Sequence, residues 1–327
     1  MLKMVRVSLR HGVQAFFLAL TLYGWYRLYL FVRHFDTGGA TPYVPRPESV
    51  DAFLPIGALV ALKNLVVNRA VDTTHPAALV LFLAIAGSAF LLRRGFCGWV
   101  CPVGAVSEGV SRIGAALGGN LSMPPWADRP LRVVKYLILA FFLKLVLVDM
   151  PAAAAQEFLQ SPYYKVVDAK LLDFWLNPGQ LTLSFLLILL LLTLAFRNFW
   201  CRYLCPYGAL LGVLASLGPS EVRRDASKCT TCRRCSRVCP SGLQVHRKQR
   251  VRTPECMGCM SCVSACPQGA LEMRVAGRRA GESALAGLII GILFASATAA
   301  RLGGYWESGV TYMENAYYIP LRAFISH

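Results

Sequence analysis

Apolar residues gather into five runs, from about Val13 to Phe35, Ala77 to Leu92, Leu131 to Val148, Leu181 to Phe196 and Ala284 to Ala300. Each is long enough, or nearly so, to cross a hydrocarbon core of about 30 Å as a helix rising 1.5 Å per residue. His75-Pro76 precedes the second run and Met150-Pro151 ends the third, while Phe185 to Leu192 is uninterruptedly apolar. The second and fourth runs are short on apolar count, and the Cys-Pro motifs beyond them are expected to extend the helices. The first run is too long for a cleavable signal peptide and lacks a small-residue cleavage site. The pattern predicts a mainly α, polytopic membrane protein of about five transmembrane helices.

The runs divide the chain into a four-span part over 1–221, a compact soluble insert over 222–280, and a fifth span with an aromatic tail over 281–327. Within the first outer loop, 36–76, the apolar stretch Val50 to Val67 is interrupted by Pro55, Gly57 and Lys63. It therefore reads as an interfacial or re-entrant element, not a sixth span. Residues 151–180 read as a second outer loop. In the tail, Tyr305, Trp306, Tyr312, Tyr317 and Tyr318 suit a headgroup belt.

Composition agrees with this division. Of 327 residues, 56% are hydrophobic and only 16% charged, against about a quarter charged in an ordinary soluble domain. The net charge of +17 invites a nucleic-acid reading, and the position of the charges removes it. The N-terminal stretch to Gly12, segments 93–131 and 197–283, and their helix edges hold 24 Lys+Arg against 7 Asp+Glu; the remainder holds 10 of each. The positive-inside rule places the N-terminus and the intervening basic loops in the cytoplasm and the C-terminus outside. Lipid contact then accounts for the charge without nucleic acid.

All twelve cysteines lie in those basic loops, in four motifs. Two are runs of spacing C-x2-C-x2-C-x3-C-P: Cys229, Cys232, Cys235 and Cys239, then Cys256, Cys259, Cys262 and Cys266. In such runs three thiolates hold one [4Fe–4S] cube and the fourth serves its neighbour. The spacing predicts one cluster on Cys229, Cys232, Cys235 and Cys266 and a second on Cys256, Cys259, Cys262 and Cys239. A disulfide scaffold would scatter its cysteines through a small secreted domain. The insert around them has 13 Lys+Arg against 3 Asp+Glu, which should raise cluster potentials.

The other four form a repeat. Gly95 to Val106 aligns without gaps with Phe199 to Leu210, matching Cys97 and Cys101-Pro to Cys201 and Cys205-Pro. A fainter echo, Phe53 to Leu59, has no cysteine. At i and i+4 both thiols of a pair would lie on one helix face. Two pairs together make a four-thiolate site for a third Fe–S cluster or another metal; a thiol–disulfide relay, or simple packing of small cysteines, is the alternative.

This combination of paired Cys-x3-Cys-Pro motifs and a double ferredoxin run resembles the membrane-bound polyferredoxin family of NapH and the C-terminal membrane part of NosR. The resemblance covers most of residues 50–280. It implies a multi-pass subunit of a bacterial cytoplasmic membrane that takes electrons from quinol and passes them to other subunits of a redox complex, cytochrome or ferredoxin-type. Its alternative implication is a maturation factor that reduces a metal or thiol for another enzyme. Family members often carry a cysteine in the outer-loop motif where this chain has Leu54, so no role tied to that cysteine is expected. Lys144 and Arg27 are candidate quinone contacts by their depth, though snorkelling, and for Lys144 pairing with Asp149, explains them as well. His34 and His75 flank the outer loops. No Cys-x-x-Cys-His haem motif and no dinucleotide-binding glycine fingerprint occurs.

Overall fold

The computed structural model describes residues 9–119, 121 and 123–326; the basic N-terminal stretch lies outside the described residues up to residue 8. The fold is mostly helical. Helix α1 is Leu9–Asp36, α2 Pro55–Asn68, α3 Pro76–Leu92, α4 Gly95–Trp99, α5 Pro102–Ala116 and α6 Pro125–Leu143. Then come α7 (Ala152–Gln160), α8 (Pro162–Lys165), α9 (Val167–Leu176), α10 (Gln180–Ala195) and α11 (Pro206–Leu217). Two four-residue turns, α12 (Arg234–Arg237) and α13 (Ser261–Ser264), precede α14 (Glu282–Leu302) and α15 (Tyr312–Leu321).

Every predicted run falls in a helix, but the lengths differ from expectation. By length and composition α1 and α14 can each cross a membrane, and α9 with α10, bent by 71°, makes a third candidate. Among the described residues the count on that measure is two or three where five were expected. The expected extension of α3 and α10 by the Cys-Pro motifs does not occur. Arg93 and Asn198 adopt left-handed backbone at φ 61° and 49°, which no helix continues through, so α3 stops at 17 residues and α10 at 16. Helix α6 carries Asp128, Arg129 and Arg132 in its N-terminal half and Lys135 at its middle.

The chain forms two compact units. One comprises the chain up to Leu18, Ile85–Leu139 and Leu186–Ile292; the other comprises Ala19–Ala84, Ala140–Phe185 and Leu293 onward. Helices α1, α3, α6, α10 and α14 are divided between them.

The first unit contains an antiparallel sheet of order β2-β1-β3-β4, with β1 Ser220–Arg224, β2 Arg250–Val251, β3 Leu271–Val275 and β4 Arg278–Ala280. Val222 pairs with Val251 on one side and Met273 on the other. These three and Leu271 are buried while Arg223 and Arg250 are exposed, the period-two alternation of a one-sided sheet.

The second unit has cores around Leu28, Phe31, Val32 and Phe35 of α1 and around Val60, Ala61 and Tyr164. Pro55 does not interrupt a helix; it occupies the first turn of α2, where its missing N–H costs nothing. Residues 151–180, read as a second outer loop, contain α7, α8 and α9. The aromatic tail forms α15, which the sequence reading missed although Thr311 and Glu314 form a capping box at its start.

Candidate iron–sulfur sites

All twelve cysteines belong to the first unit, and none is in a disulfide. The loops of the two ferredoxin runs repeat each other in backbone conformation. Thr231 and Arg233 flank Cys232 at φ 54° and 61°; Gly258 and Met260 flank Cys259 at 59° and 61°. Left-handed residues alternating with right-handed ones turn successive N–H groups inward, forming a cradle for an anion. Three residues past each fourth cysteine, Gly242 and Gly269 are left-handed too, at 63° and 57°. There Leu243 N donates to Cys239 Sγ at 3.4 Å and Ala270 N to Cys266 Sγ at 3.3 Å.

Each run folds around its own hollow while lending one thiol to the other. Cys229, Cys232, Cys235 and Cys266 line one, with an empty volume of about 370 Å³. Cys239, Cys256, Cys259 and Cys262 line the second, of about 390 Å³. The structure thus brings together the two quartets named from spacing, in spaces of matched size. Among the described residues no three His, Cys, Asp or Glu side chains stand close enough to hold a single metal ion. Four thiols around a common hollow with convergent N–H groups are the donor set of a cluster, and the residues fit one.

Cys97, Cys101, Cys201 and Cys205 form a third group. They do not lie on the face of one helix, as i, i+4 spacing suggested. The residue before a proline avoids helical backbone, so Cys101 and Cys205 are extended (φ −60° and −68°) and stand as N-caps of α5 and α11. Their partners Cys97 and Cys201 sit in the short turns before, α4 and the π turn Trp200–Leu204. The two breaks bring the four thiols within electrostatic reach of one another. Burial, then the neighbouring thiols, push Cys101 well above the ordinary range and Cys201 up to about 12. Four such groups ionise together only where cationic charge compensates them. Cys205 Sγ accepts from Gly208 N at 3.2 Å.

Sequence reading counted Arg93 and Arg94 as loop charge, whereas the structure buries both. Arg94 faces Cys97, Cys201, Cys205 and Glu255, which hold its charge despite burial. Arg93 donates to Ala215 O at 2.8 Å and to Thr253 O. Lys135, 0% exposed, pairs with Glu255 at 2.6 Å, and Tyr136 donates to the same carboxylate at 3.1 Å. The only signal in the sequence was a charged residue at membrane depth in an apolar run, and Lys135 was not singled out.

The ferredoxin insert is fastened against the third group. A Cβ on Gly98, between Cys97 and Cys101, would lie 2.8 Å from Met257 O and 3.2 Å from Cys259 Cβ. Trp99 Nε1 donates to Gly258 O at 3.1 Å, and Arg10 donates to Gly98 O at 2.8 Å and Ser261 Oγ at 3.1 Å while pairing with Glu108.

Away from the cysteines, Lys144 pairs with Asp149 at 2.6 Å in an exposed π turn. Arg27 donates to Pro45 O at 3.1 Å, and His34 meets Tyr312 OH at 2.9 Å. His75 is buried in the second unit. Its Nδ1 lies 2.9 Å from Arg46 Nη2 and 3.3 Å from Asp51 Oδ1, and its Nε2 lies 2.8 Å from Tyr164 O. Arg46 also pairs with Glu48, Asp51 and Asp168.

Fold and cysteine arrangement define an iron–sulfur electron-transfer protein. The family model of a 4Fe-4S binding domain matches residues 74–124 and 178–224, and that of a 4Fe-4S dicluster domain matches 221–267. The chain is 40% identical to YccM of Escherichia coli K12, a protein whose name proposes electron transport, over 97% of this chain and 91% of that one. It is 26% identical to the ferredoxin-type protein NapH of the same organism, over 71% of this chain and 74% of NapH. The regulatory protein NosR of Pseudomonas aeruginosa is 30% identical over 56% of this chain but only 25% of its own length. No solved structure matches significantly. The chain belongs to the NapH/NosR-type family of ferredoxin-type electron transport proteins.

Proposed function

We propose that this protein is a five-span membrane subunit that passes single electrons between a quinone pool and other redox subunits through three cysteine quartets. The observation that carries the reading is the gathering of all twelve cysteines into three groups of four in one unit, with Gly98 of the third group seated on Cys259 of the second.

The five-span topology is supported by α1, α3, α6, α10 and α14 each being shared between the two units. It is further supported by inverted exposure: Leu181, Leu183, Phe185, Leu187, Ile188 and Leu191 of α10 are all exposed, a surface that only lipid or a partner helix satisfies. The excess of Lys and Arg in the loops of the unit with the cysteines supports a cytoplasmic side for that unit. The boundaries 1–221, 222–280 and 281–327 follow as functional divisions, with the middle one holding both ferredoxin quartets.

Bound [4Fe–4S] clusters would supply one-electron centres at Cys229/Cys232/Cys235/Cys266 and Cys239/Cys256/Cys259/Cys262, and a third at Cys97/Cys101/Cys201/Cys205. The protein's own groups do the rest. N–H donors at Cys239, Cys266 and Cys205 stabilise sulfur charge, and Arg94 supplies a buried counter-charge to the third quartet. Burial of Met257, Gly258 and Met260 keeps water from the second. The turn at Gly98 holds second and third quartets at a fixed separation.

Incubating the anaerobically purified protein with a menaquinol or ubiquinol analogue tests the role. Cluster reduction by the quinol supports it; clusters that stay oxidised at every potential the quinol reaches end the quinone assignment. Gene deletion separates the maturation alternative, which leaves a target enzyme present but cofactor-deficient instead of intact and starved of electrons.

A further inference from the structure

The residues around the two ferredoxin hollows differ in exposure. Around the second, Cys239, Cys256, Met257, Gly258 and Met260 are buried, and the turn Cys97–Cys101 closes over it. Around the first, Thr230, Thr231, Cys232, Arg233 and Arg234 are all exposed.

Beside this hollow, and sharing Arg224 and Ala270 with it, lies a cleft lined by Arg223, Lys228, Arg250, Arg274 and Arg279, with Glu272 among them. The sheet register sets Arg223 opposite Arg250 and Arg274 opposite Arg279. Like charges directly opposed on a sheet destabilise it. On the β1–β3 side the register sets Glu272 opposite Arg223 and Glu221 opposite Arg274, and Glu221 also stands 3.8 Å from Arg250, so two carboxylates face the four guanidinium groups of Arg223, Arg250, Arg274 and Arg279. Positive charge remains in excess along the cleft, and an external anion complements it. Lipid-binding faces combine basic residues with large apolar ones, and this cleft has none; Asp225, Ala226, Gln249 and Gly269 fill the rest of its lining. A concave, patterned, basic surface without apolar anchors suits an acidic protein.

We propose that the outer face of the β2-β1-β3-β4 sheet, with the rim at Thr230–Arg234, is the docking site of a small acidic soluble electron-carrier protein. The proposal rests on the electron-transfer reading above and makes the Cys229/Cys232/Cys235/Cys266 site the outward terminal. In each encounter one electron passes between the carrier's centre and that site. One is oxidised and the other reduced, and no bond forms or breaks. Charge steers such an encounter and salt screens it.

The test uses the full-length protein in nanodiscs of zwitterionic lipid, with an acidic plant-type [2Fe–2S] ferredoxin as the probe and a basic c-type cytochrome as the control. The dissociation constant should rise at least tenfold as salt goes from low to physiological ionic strength, and the cytochrome should bind far more weakly. Arg279→Glu and Arg250→Glu each turn a like-charge strand pair into an opposite one. Each should weaken ferredoxin binding severalfold while the fold stays intact by circular dichroism and the dithionite-reduced EPR spectrum stays unchanged. Salt-independent binding, equal binding of the cytochrome, or unaltered affinity in both variants overturns the proposal. So does loss of binding to phosphatidylglycerol vesicles with ferredoxin affinity intact, which would make the face a lipid contact. Absence of any EPR signal after dithionite would sink the electron-transfer reading itself.

Discussion

Gly98 shows how little space separates the third cysteine group from the ferredoxin insert. Its missing side chain leaves room for Met257 O and Cys259 Cβ, both nearer than a Cβ tolerates without displacement. Gly98→Ala should therefore cost about 1–3 kcal/mol through overpacking and alter the EPR signal of the adjoining cluster. Gly109→Ala, in the interior of α5 with nothing within 4 Å, should be neutral or stabilising by up to about 1 kcal/mol. Thermal melts of both variants in one detergent check the contrast. Lys135 makes a second case. Lys135→Met leaves Glu255 buried with Arg94 4.0 Å away and Tyr136 as its remaining partners; breaking a buried pair from one side costs about 3–5 kcal/mol. A chemical-denaturation midpoint equal to wild type would show that Arg94 and Tyr136 satisfy the carboxylate alone. His75 gives a pH dependence. Burial opposes its charged form, the charge and hydrogen bond of Asp51 with the charge of Asp168 together more than offset that, and the folded value lies above the ordinary 6.5. A neutral ring accepts from Arg46; a protonated one donates to Asp51. Its stabilisation is thus complete below the ordinary histidine range and lost as pH rises through the raised value. The melting advantage of wild type over His75→Gln should shrink from pH 6 to 8, and a constant difference would exclude this linkage.

At the level of elements, the sequence disclosed much because its periodicities are strong. Both ferredoxin runs carry ligand spacing in the chain itself, and the quartets around the two hollows follow from it. Apolar runs likewise located α1, α3, α6, α10 and α14. What the sequence hid depends on single backbone residues. Arg93 and Asn198 stop two helices by adopting φ values that nothing in their identity demands, although Asn visits that region more readily than Arg. The Cys-Pro dipeptides were visible, yet were read as continuing a helix when their steric effect is to break one. Arg94 and Glu255 lie far apart in sequence, and only tertiary packing makes them counter-charges at the third group. The element-scale prediction concerns that group. Cys97→Ala or Cys205→Ala should remove about four irons per chain, leaving the two ferredoxin signals, if a cluster sits there; unchanged iron content assigns these thiols to another use.

For the whole molecule, one unit gathers every cysteine and the other a buried network of His75, Arg46 and carboxylates, with five helices shared between them. The central claim is that the twelve cysteines are three cluster sites. Iron analysis with an EPR-monitored redox titration of anaerobically purified full-length protein tests it most directly. The account predicts about twelve irons per chain and three one-electron transitions. Iron near zero, with twelve titratable thiols, would contradict it.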